Sequence, residues 1–176
     1  MTIVFVGGVH GVGKSTCCSE VANQLRCVHV TASDIIRQQR ADAIAAKGKL
    51  VANVAGNQEL LRHGFELVKR LAGQSTILLD GHFALRDSER AIQSLSSDVF
   101  VGLGVEQLIC FVDAPIAIVE RMGSRDGETL HIDEVAELQR AELETASAVA
   151  LALGIQLTVL QGPDRAGLKQ TLLQLR

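Results

Sequence analysis

The feature that most constrains this chain is the segment Gly8-Val9-His10-Gly11-Val12-Gly13-Lys14-Ser15 near its N-terminus. The segment fits the spacing GxxxxGK[ST], in which glycines let the backbone curl so that successive N–H groups point at one anion. A short apolar run at 2–6 precedes it, and a helical pattern from about 13 to 26 follows it. This context predicts a phosphate-binding loop between a buried strand and a helix.

The residue types of the loop predict a triphosphate site next to a metal site. Lys14 is expected to reach the β- and γ-phosphates, and the hydroxyl of Ser15 is expected to bind Mg²⁺. The N-terminus of the following helix adds partial positive charge. The residues expected to bind the phosphates of ATP are Gly8, His10, Gly11, Val12, Gly13, Lys14, Ser15 and Thr16. ATP and Mg²⁺ are therefore the expected ligands.

Two aspartates are candidates for the carboxylate that completes the metal site. Asp80 ends the apolar run 76–80, and Asp113 ends the apolar run 107–113. Open α/β sheets bind ligands at the carboxyl ends of their strands, which suits both residues. Asp113 is also typical of a turn. Gly81 follows Asp80 and lets the backbone approach a ligand, so the sequence favours Asp80 as the partner of Ser15.

Apolar runs alternate with helical patterns along the chain. The predicted strands are 2–6, 27–31, 76–80, 107–113 and 155–160. This alternation predicts an α/β fold with three layers, the P-loop NTPase fold, in which helices cover both faces of a five-stranded parallel sheet. Residues 86–95 are expected to form a polar surface helix. Residues 1–176 are expected to form one domain, with a mobile acceptor-side segment at about 47–56 and a short lid at about 123–131.

Composition narrows the function classes. Hydrophobic residues make up 47% and charged residues 21% of the chain, which excludes a disordered polymer. The net charge is −3 and there is no basic tract, which argues against binding to long nucleic acid. No apolar run reaches the roughly 18–20 residues that span a bilayer. The four cysteines form no CxxC pair, which favours reduced, mostly buried thiols in the cytoplasm. Cys17 lies near a helix N-terminus, where a thiolate is favoured, but a buried thiol is expected there.

Three segments in this order resemble the small nucleoside monophosphate kinases, in particular the adenylate kinases of archaeal type. They are GGVHGVGKST at 7–16, HVTASDIIR at 29–37 and ILLDG at 77–81. RMGSRD at 121–126 lies where those enzymes begin the lid over ATP. The chain departs from them after Asp80, where His82-Phe83-Ala84-Leu85 replaces Phe-Pro-Arg, and its short lid lacks zinc cysteines.

The resemblance implies a kinase that moves the γ-phosphoryl group of ATP to a nucleoside monophosphate, and a homo-oligomer. Arginines suit this chemistry because their planar forks bind phosphate oxygens. The implied catalytic residues are Lys14, Arg37, Asp80, Arg121 and Arg125, with Arg121 also at ATP. The implied acceptor-side residues are Arg37, which would grip the acceptor phosphate, Gly81, His82 and Arg86.

Three other functions fit the motifs. A small-metabolite kinase, similar to shikimate and gluconate kinases, would use Asp34 to accept hydrogen bonds from a polyol. A regulatory P-loop ATPase would bind no small acceptor. A kinase that acts on nucleic-acid 5′ ends would need a basic groove, which the acidic net charge disfavours.

Overall fold

The computed structural model describes residues 1–47, 54–87, 89–126 and 131–175. The strands are β1 Ile3–Gly7, β2 Val28–Thr31, β3 Ile77–Asp80, β4 Ala84–Arg86, β5 Ile92–Ser94, β6 Gln107–Val112 and β7 Gln156–Gln161. The helices are α1 Lys14–Leu25, α2 Ala32–Lys47, α3 Val54–Ala72, α4 Ser97–Leu103, α5 Pro115–Asp126, α6 Ile132–Leu153 and α7 Arg165–Leu173.

The main sheet has five parallel strands in the order β2-β3-β1-β6-β7. Strand β1 is buried along its whole length because it lies in the centre with helices on both faces. Its alternate side chains divide between two cores: Val4 and Val6 pack towards α1, α5 and α7, whereas Ile3 and Phe5 pack towards α2, α3, α4 and α6. The predicted three-layer fold is confirmed.

The predicted surface helix at 86–95 is wrong, because this part of the chain forms an antiparallel hairpin of β4 and β5. The carboxylate of Asp87 accepts hydrogen bonds from the backbone N–H groups of Glu89 and Ala91, at 2.9 and 3.0 Å. An aspartate that bonds the backbone locally competes with helix formation. Helix α6 packs against this hairpin, which places the hairpin beside the carboxyl end of the sheet.

Two helices have features that the sequence pattern does not predict. Helix α2 is capped by Thr31, whose Oγ1 accepts the backbone N–H of Asp34 at 3.0 Å, and α4 was not predicted. Two segments are expected to move. Residues 48–53 of the first and residues 127–130 of the second lie outside the described residues. In the part of the chain that the structure describes, no helix is long and apolar enough to cross a membrane.

Candidate functional site

The phosphate loop owes its shape to glycines. Gly8, Gly11 and Gly13 have φ values of 135°, 80° and 98°, in a backbone region that residues with a side chain rarely adopt. A Cβ on Gly8 would lie 2.5 Å from the carbonyl oxygen of Phe111, so the loop also needs glycine there for space. Helix α1 begins at Lys14, directly after the loop. The loop and the unpaired N–H groups of this helix start therefore form an anion cradle.

The remaining loop residues differ in exposure. Ser15 and Thr16 are exposed at the start of α1, His10 is exposed at the tip of the loop, and Val12 is fully buried under it. His10, Lys14 and Ser15 line a cavity that extends from the loop towards α2, α3 and α4. The buried Val12 contributes backbone and packing and exposes no side chain to a ligand.

A buried ion pair connects the loop to the neighbouring strand. Lys14 Nζ lies 3.7 Å from Asp80 Oδ1, and both side chains are almost fully buried. The pairing of Val6 with Asp80 in β1 and β3 accounts for this proximity. Burial acts to raise the pKa of the Asp80 carboxyl, but the neighbouring His29 ring, the charge of Lys14 and the hydroxyl of Ser15 outweigh burial and lower it. Asp80 is therefore an ionised carboxylate beside the phosphate cradle.

His29 is a neighbour of Asp80 that sequence reasoning missed. Its Nε2 lies 3.7 Å from Asp80 Oδ2, and both atoms are buried without a hydrogen-bond partner among the described residues. The strand register explains why the two residues are close: Thr31 pairs with Asp80 in the sheet, and His29 lies two residues before Thr31 on the same face. The carboxylate of Asp80 interacts with the hydroxyl of Ser15 and has one oxygen without a hydrogen-bond partner among the described residues, which fits a Mg²⁺ site, since Mg²⁺ prefers oxygen ligands.

Asp113 and Arg121 hold the phosphate loop from its other side. Arg121 donates from Nε to the carbonyl oxygen of Gly11 at 3.0 Å and from a terminal nitrogen to Asp113 Oδ2 at 2.7 Å. The side-chain amide of Gln139 bonds both the N–H and the carbonyl of Asp113 at 2.9 Å. Asp113, the alternative carboxylate, is thus the ion-pair partner of Arg121, whereas Lys14 pairs with Asp80.

Two of the other predicted arginines, Arg37 and Arg86, bond to residues outside the loop. Arg37 is 77% exposed and pairs with Asp34, one turn earlier on α2. Arg86 donates to the carbonyl oxygen of Arg90 at 2.8 Å and to Glu137 at 2.6 Å, which fastens the hairpin to α6. The backbone of Arg125 belongs to α5, and its side chain lies outside the described part of the chain.

A cavity of about 320 Å³ opens between the phosphate loop, α2, α3, α4 and the hairpin. Its polar lining residues are His10, Lys14, Ser15, Thr31, Ser33, Asn57, Gln58, Asp80 and His82. Its apolar lining residues are Phe5, Ala32, Ile36, Leu61, Leu85, Leu95 and Val99, with Gly81 between the two groups. Lys14 is the one lysine or arginine among the described residues that line it. Asp34, Arg37 and Arg86 do not line it.

A buried glutamate supports the segment after Asp80. Glu142 of α6 is fully buried and bonds His82 and the backbone of Phe83. Sequence reasoning missed Glu142, because a glutamate in a long charged helix has the same pattern whether it faces solvent or protein.

Burial disfavours the thiolate form of the buried cysteines. Burial first, and the charge of Glu142 second, raise the pKa of Cys110 to about 12. Cys17 is buried, as expected, and its burial raises the pKa of the thiol, which disfavours the thiolate.

Comparisons with known proteins agree with this fold and loop. The chain matches a crystal structure of shikimate kinase from Bacteroides thetaiotaomicron with a TM-score of 0.59 and 15% sequence identity, over 99% of this chain and 97% of that one. Fold and loop thus define a P-loop protein with a kinase-like fold. The AAA domain model matches residues 7–139, most of the chain, so the protein belongs to the AAA domain family. No curated protein matches the sequence.

Proposed function

We propose that the protein is a Mg²⁺-dependent kinase that transfers the γ-phosphoryl group of ATP to a small hydroxylated acceptor. One observation carries this proposal: Lys14, Ser15 and Asp80 belong both to the phosphate-loop site and to the wall of an adjoining cavity with an apolar end. A donor phosphate in the loop would therefore meet an acceptor in the cavity, as phosphoryl transfer requires.

Ser15 and Asp80 are the residues that would hold Mg²⁺. Bound there, the ion would supply positive charge to the phosphate oxygens as negative charge builds up on them. Asp80 offers an oxygen without a hydrogen-bond partner among the described residues, and its lowered pKa keeps it ionised. Ser15 is exposed at the start of α1, beside the loop.

The chain's own residues supply positioning and charge. The loop presents backbone N–H groups to the phosphates in a shape that its glycines maintain. Lys14 is held beside Asp80 and not free in solvent, so its ammonium group is pre-organised to contact the transferring phosphoryl group. Arg121 acts on the loop by fixing Gly11. Side chains such as Leu61 and Leu95 restrict water in the cavity, which disfavours hydrolysis.

The cavity favours an acceptor without a phosphate group of its own. A nucleoside monophosphate, the acceptor that the adenylate kinase resemblance implies, needs cations for its phosphate. Lys14 is the one lysine or arginine of the described lining, and it already serves the donor phosphates. Arg37 and Arg86 are bonded elsewhere. An uncharged alcohol with an apolar face suits the lining better.

The test is ADP release from Mg-ATP with matched acceptor pairs, each nucleoside beside its 5′-monophosphate, and a set of phosphate-free hydroxylated metabolites. We expect stimulation by at least one phosphate-free alcohol. Lys14→Ala should abolish it, whereas Lys169→Ala, which changes an exposed lysine of α7, should not. Stimulation by monophosphates alone would overturn the acceptor class. Slow turnover that ignores every compound would favour a regulatory ATPase over a kinase.

A further inference from the structure

The carboxylate of Glu142 is fully buried and accepts three hydrogen bonds from one short segment. Its Oε2 accepts the backbone N–H groups of Phe83 at 2.6 Å and Ala84 at 3.4 Å. Its Oε1 lies 2.7 Å from Nδ1 of His82. A buried charge is tolerated where donors surround it, and two of these donors belong to the backbone. Glu142 therefore fixes the chain directly after Asp80 and Gly81.

The same contacts decide which nitrogen of His82 carries the proton. A carboxylate can only accept hydrogen bonds, so Nδ1 must be the donor in the bond to Glu142. In the neutral imidazole the other nitrogen, Nε2, is then left with its lone pair and is a hydrogen-bond acceptor. Glu142 thus sets the polarity of the ring as well as its position.

The edge of the ring that bears Nε2 is available to a ligand. The His82 side chain is 27% exposed and lines the cavity that also contains Lys14 and Asp80. Within the described part of the chain, Glu142 is the ring's hydrogen-bond partner, and that bond uses Nδ1. The Nε2 edge lies on the part of the ring away from α6.

We propose that Glu142 and His82 form a recognition pair for the phosphoryl acceptor. Glu142 is the positioning residue, and Nε2 of His82 accepts a hydrogen bond from the acceptor's hydroxyl group. This inference rests on the proposed function and narrows it, because a lone pair at this place selects an acceptor that presents an O–H donor. Correct orientation of that hydroxyl beside the donor phosphate accelerates transfer.

The pair could instead be a purely structural clamp, and two substitutions separate the roles. Asparagine at position 82 keeps an amide N–H near the place of Nδ1 and so preserves the bond to Glu142, but it has no atom at the place of Nε2. A structural clamp tolerates His82→Asn, whereas a recognition pair does not. His63→Asn, at an exposed histidine that bonds Gln39, is the matched control.

The first experiment is long-range ¹H–¹⁵N NMR of the histidine rings at alkaline pH, where imidazoles are neutral. We expect His82 to be protonated at Nδ1 and unprotonated at Nε2. Glu142→Gln should alter this signature, whereas Glu144→Gln, which changes an exposed glutamate of the same helix, should leave it intact. A wild-type ring protonated at Nε2 would overturn the inference, and it would leave the kinase proposal unaffected.

The second experiment uses water as the probe hydroxyl, through acceptor-independent hydrolysis of Mg-ATP. We expect His82→Asn to slow hydrolysis at least fivefold while the affinity for ATP changes less than twofold. Hydrolysis by His82→Asn at the wild-type rate would refute the recognition role. If no small molecule stimulates the wild-type protein, the kinase proposal fails on its own test, whereas the ring signature still decides whether Glu142 sets the tautomer.

Discussion

The two ends of the cavity are built in different ways. At the phosphate end, Asp80 ends β3, whereas Lys14 and Ser15 begin α1 after the loop that follows the neighbouring strand β1. At the acceptor end, side chains such as Ile36, Leu61 and Leu95 come from two helices and the segment after the hairpin. The first end is charged and fixed by backbone geometry, whereas the second is largely apolar and fixed by packing.

This difference assigns separate tasks to the two ends. The charged end can act on any triphosphate, because its contacts are made by glycine backbone, one lysine and one carboxylate. Under the proposed function, the apolar end would exclude water and select the body of the acceptor, because apolar surface binds by shape. Substitutions at the phosphate end should therefore abolish turnover, whereas changes in the exposed residues around the acceptor end should have small effects.

The largest expected effect is on turnover, at Lys14. Lys14→Ala should lower the rate of ADP release at least about 100-fold, about 2.7 kcal/mol of transition-state stabilisation, because under the proposed function the ammonium group would contact the transferring phosphoryl group. The rate is measured with saturating Mg-ATP, and circular dichroism checks that the variant is folded. A folded Lys14→Ala variant with near-normal turnover would show that the charged end of the cavity does not drive turnover.

The next effect is on stability, at Gly8. Gly8→Ala should lower the free energy of unfolding by about 2 kcal/mol more than Gly73→Ala. Both glycines have positive φ, but a Cβ on Gly8 would lie 2.5 Å from the Phe111 carbonyl oxygen, whereas a Cβ on Gly73 would meet nothing within 4 Å. Urea unfolding measures both variants. Equal losses would show that the loop can relax, contrary to a backbone-fixed phosphate end.

A smaller effect is the pH dependence of stability that Asp80 contributes. Its pKa is lower in the folded protein than in the unfolded chain, so the unfolded chain binds more protons and stability rises with pH. This contribution is present above the unfolded pKa of about 3.9. It is lost as the pH falls through the lower folded value.

We therefore expect the difference in unfolding free energy between wild type and Asp80→Asn to change as the pH is lowered from about 5 to about 3. Wild type should lose its relative advantage over this range. Asp98→Asn, at an exposed position of α4, controls for the general loss of a carboxylate. A difference that stays constant with pH would show that the folded protein does not perturb Asp80.

The smallest expected effect is at Arg37. Its side chain is 77% exposed and pairs with Asp34, and such surface pairs contribute little. Arg37→Ala should change acceptor-stimulated turnover less than about twofold, since an uncharged acceptor does not need it. A loss of tenfold or more, seen with a nucleoside monophosphate as acceptor, would restore the role that the adenylate kinase resemblance implies.

The phosphate end could be predicted from the sequence because its determinants are local. Glycine spacing, Lys14 and the apolar runs before the loop and before Asp80 all lie within short windows. The same apolar runs predict the three-layer fold, which is confirmed. Here the geometry depends on backbone conformation and strand register, which short patterns encode.

The acceptor end could not be predicted in the same way. The sequence predicts a helix where the hairpin lies, because the hydrogen bonds of Asp87 to its own turn leave no periodic pattern in the sequence. Glu142 lies 60 residues from its partner His82, and only the packing of α6 on the hairpin buries it. Arg37 fitted a short motif, but its side chain turns to Asp34 on the surface. Long-range packing determines these positions.

Transfer of the γ-phosphoryl group to a bound acceptor is tested most directly by following labelled γ-phosphate. Mg-ATP labelled at this position is incubated with the protein in a mixture of nucleosides, nucleotides and hydroxylated metabolites. Chromatography separates organic phosphates from inorganic phosphate. We expect label in an organic phosphate ester with wild type and none with Lys14→Ala. Label found only in inorganic phosphate, whatever the mixture contains, would contradict a kinase with an acceptor bound beside Lys14 and Asp80.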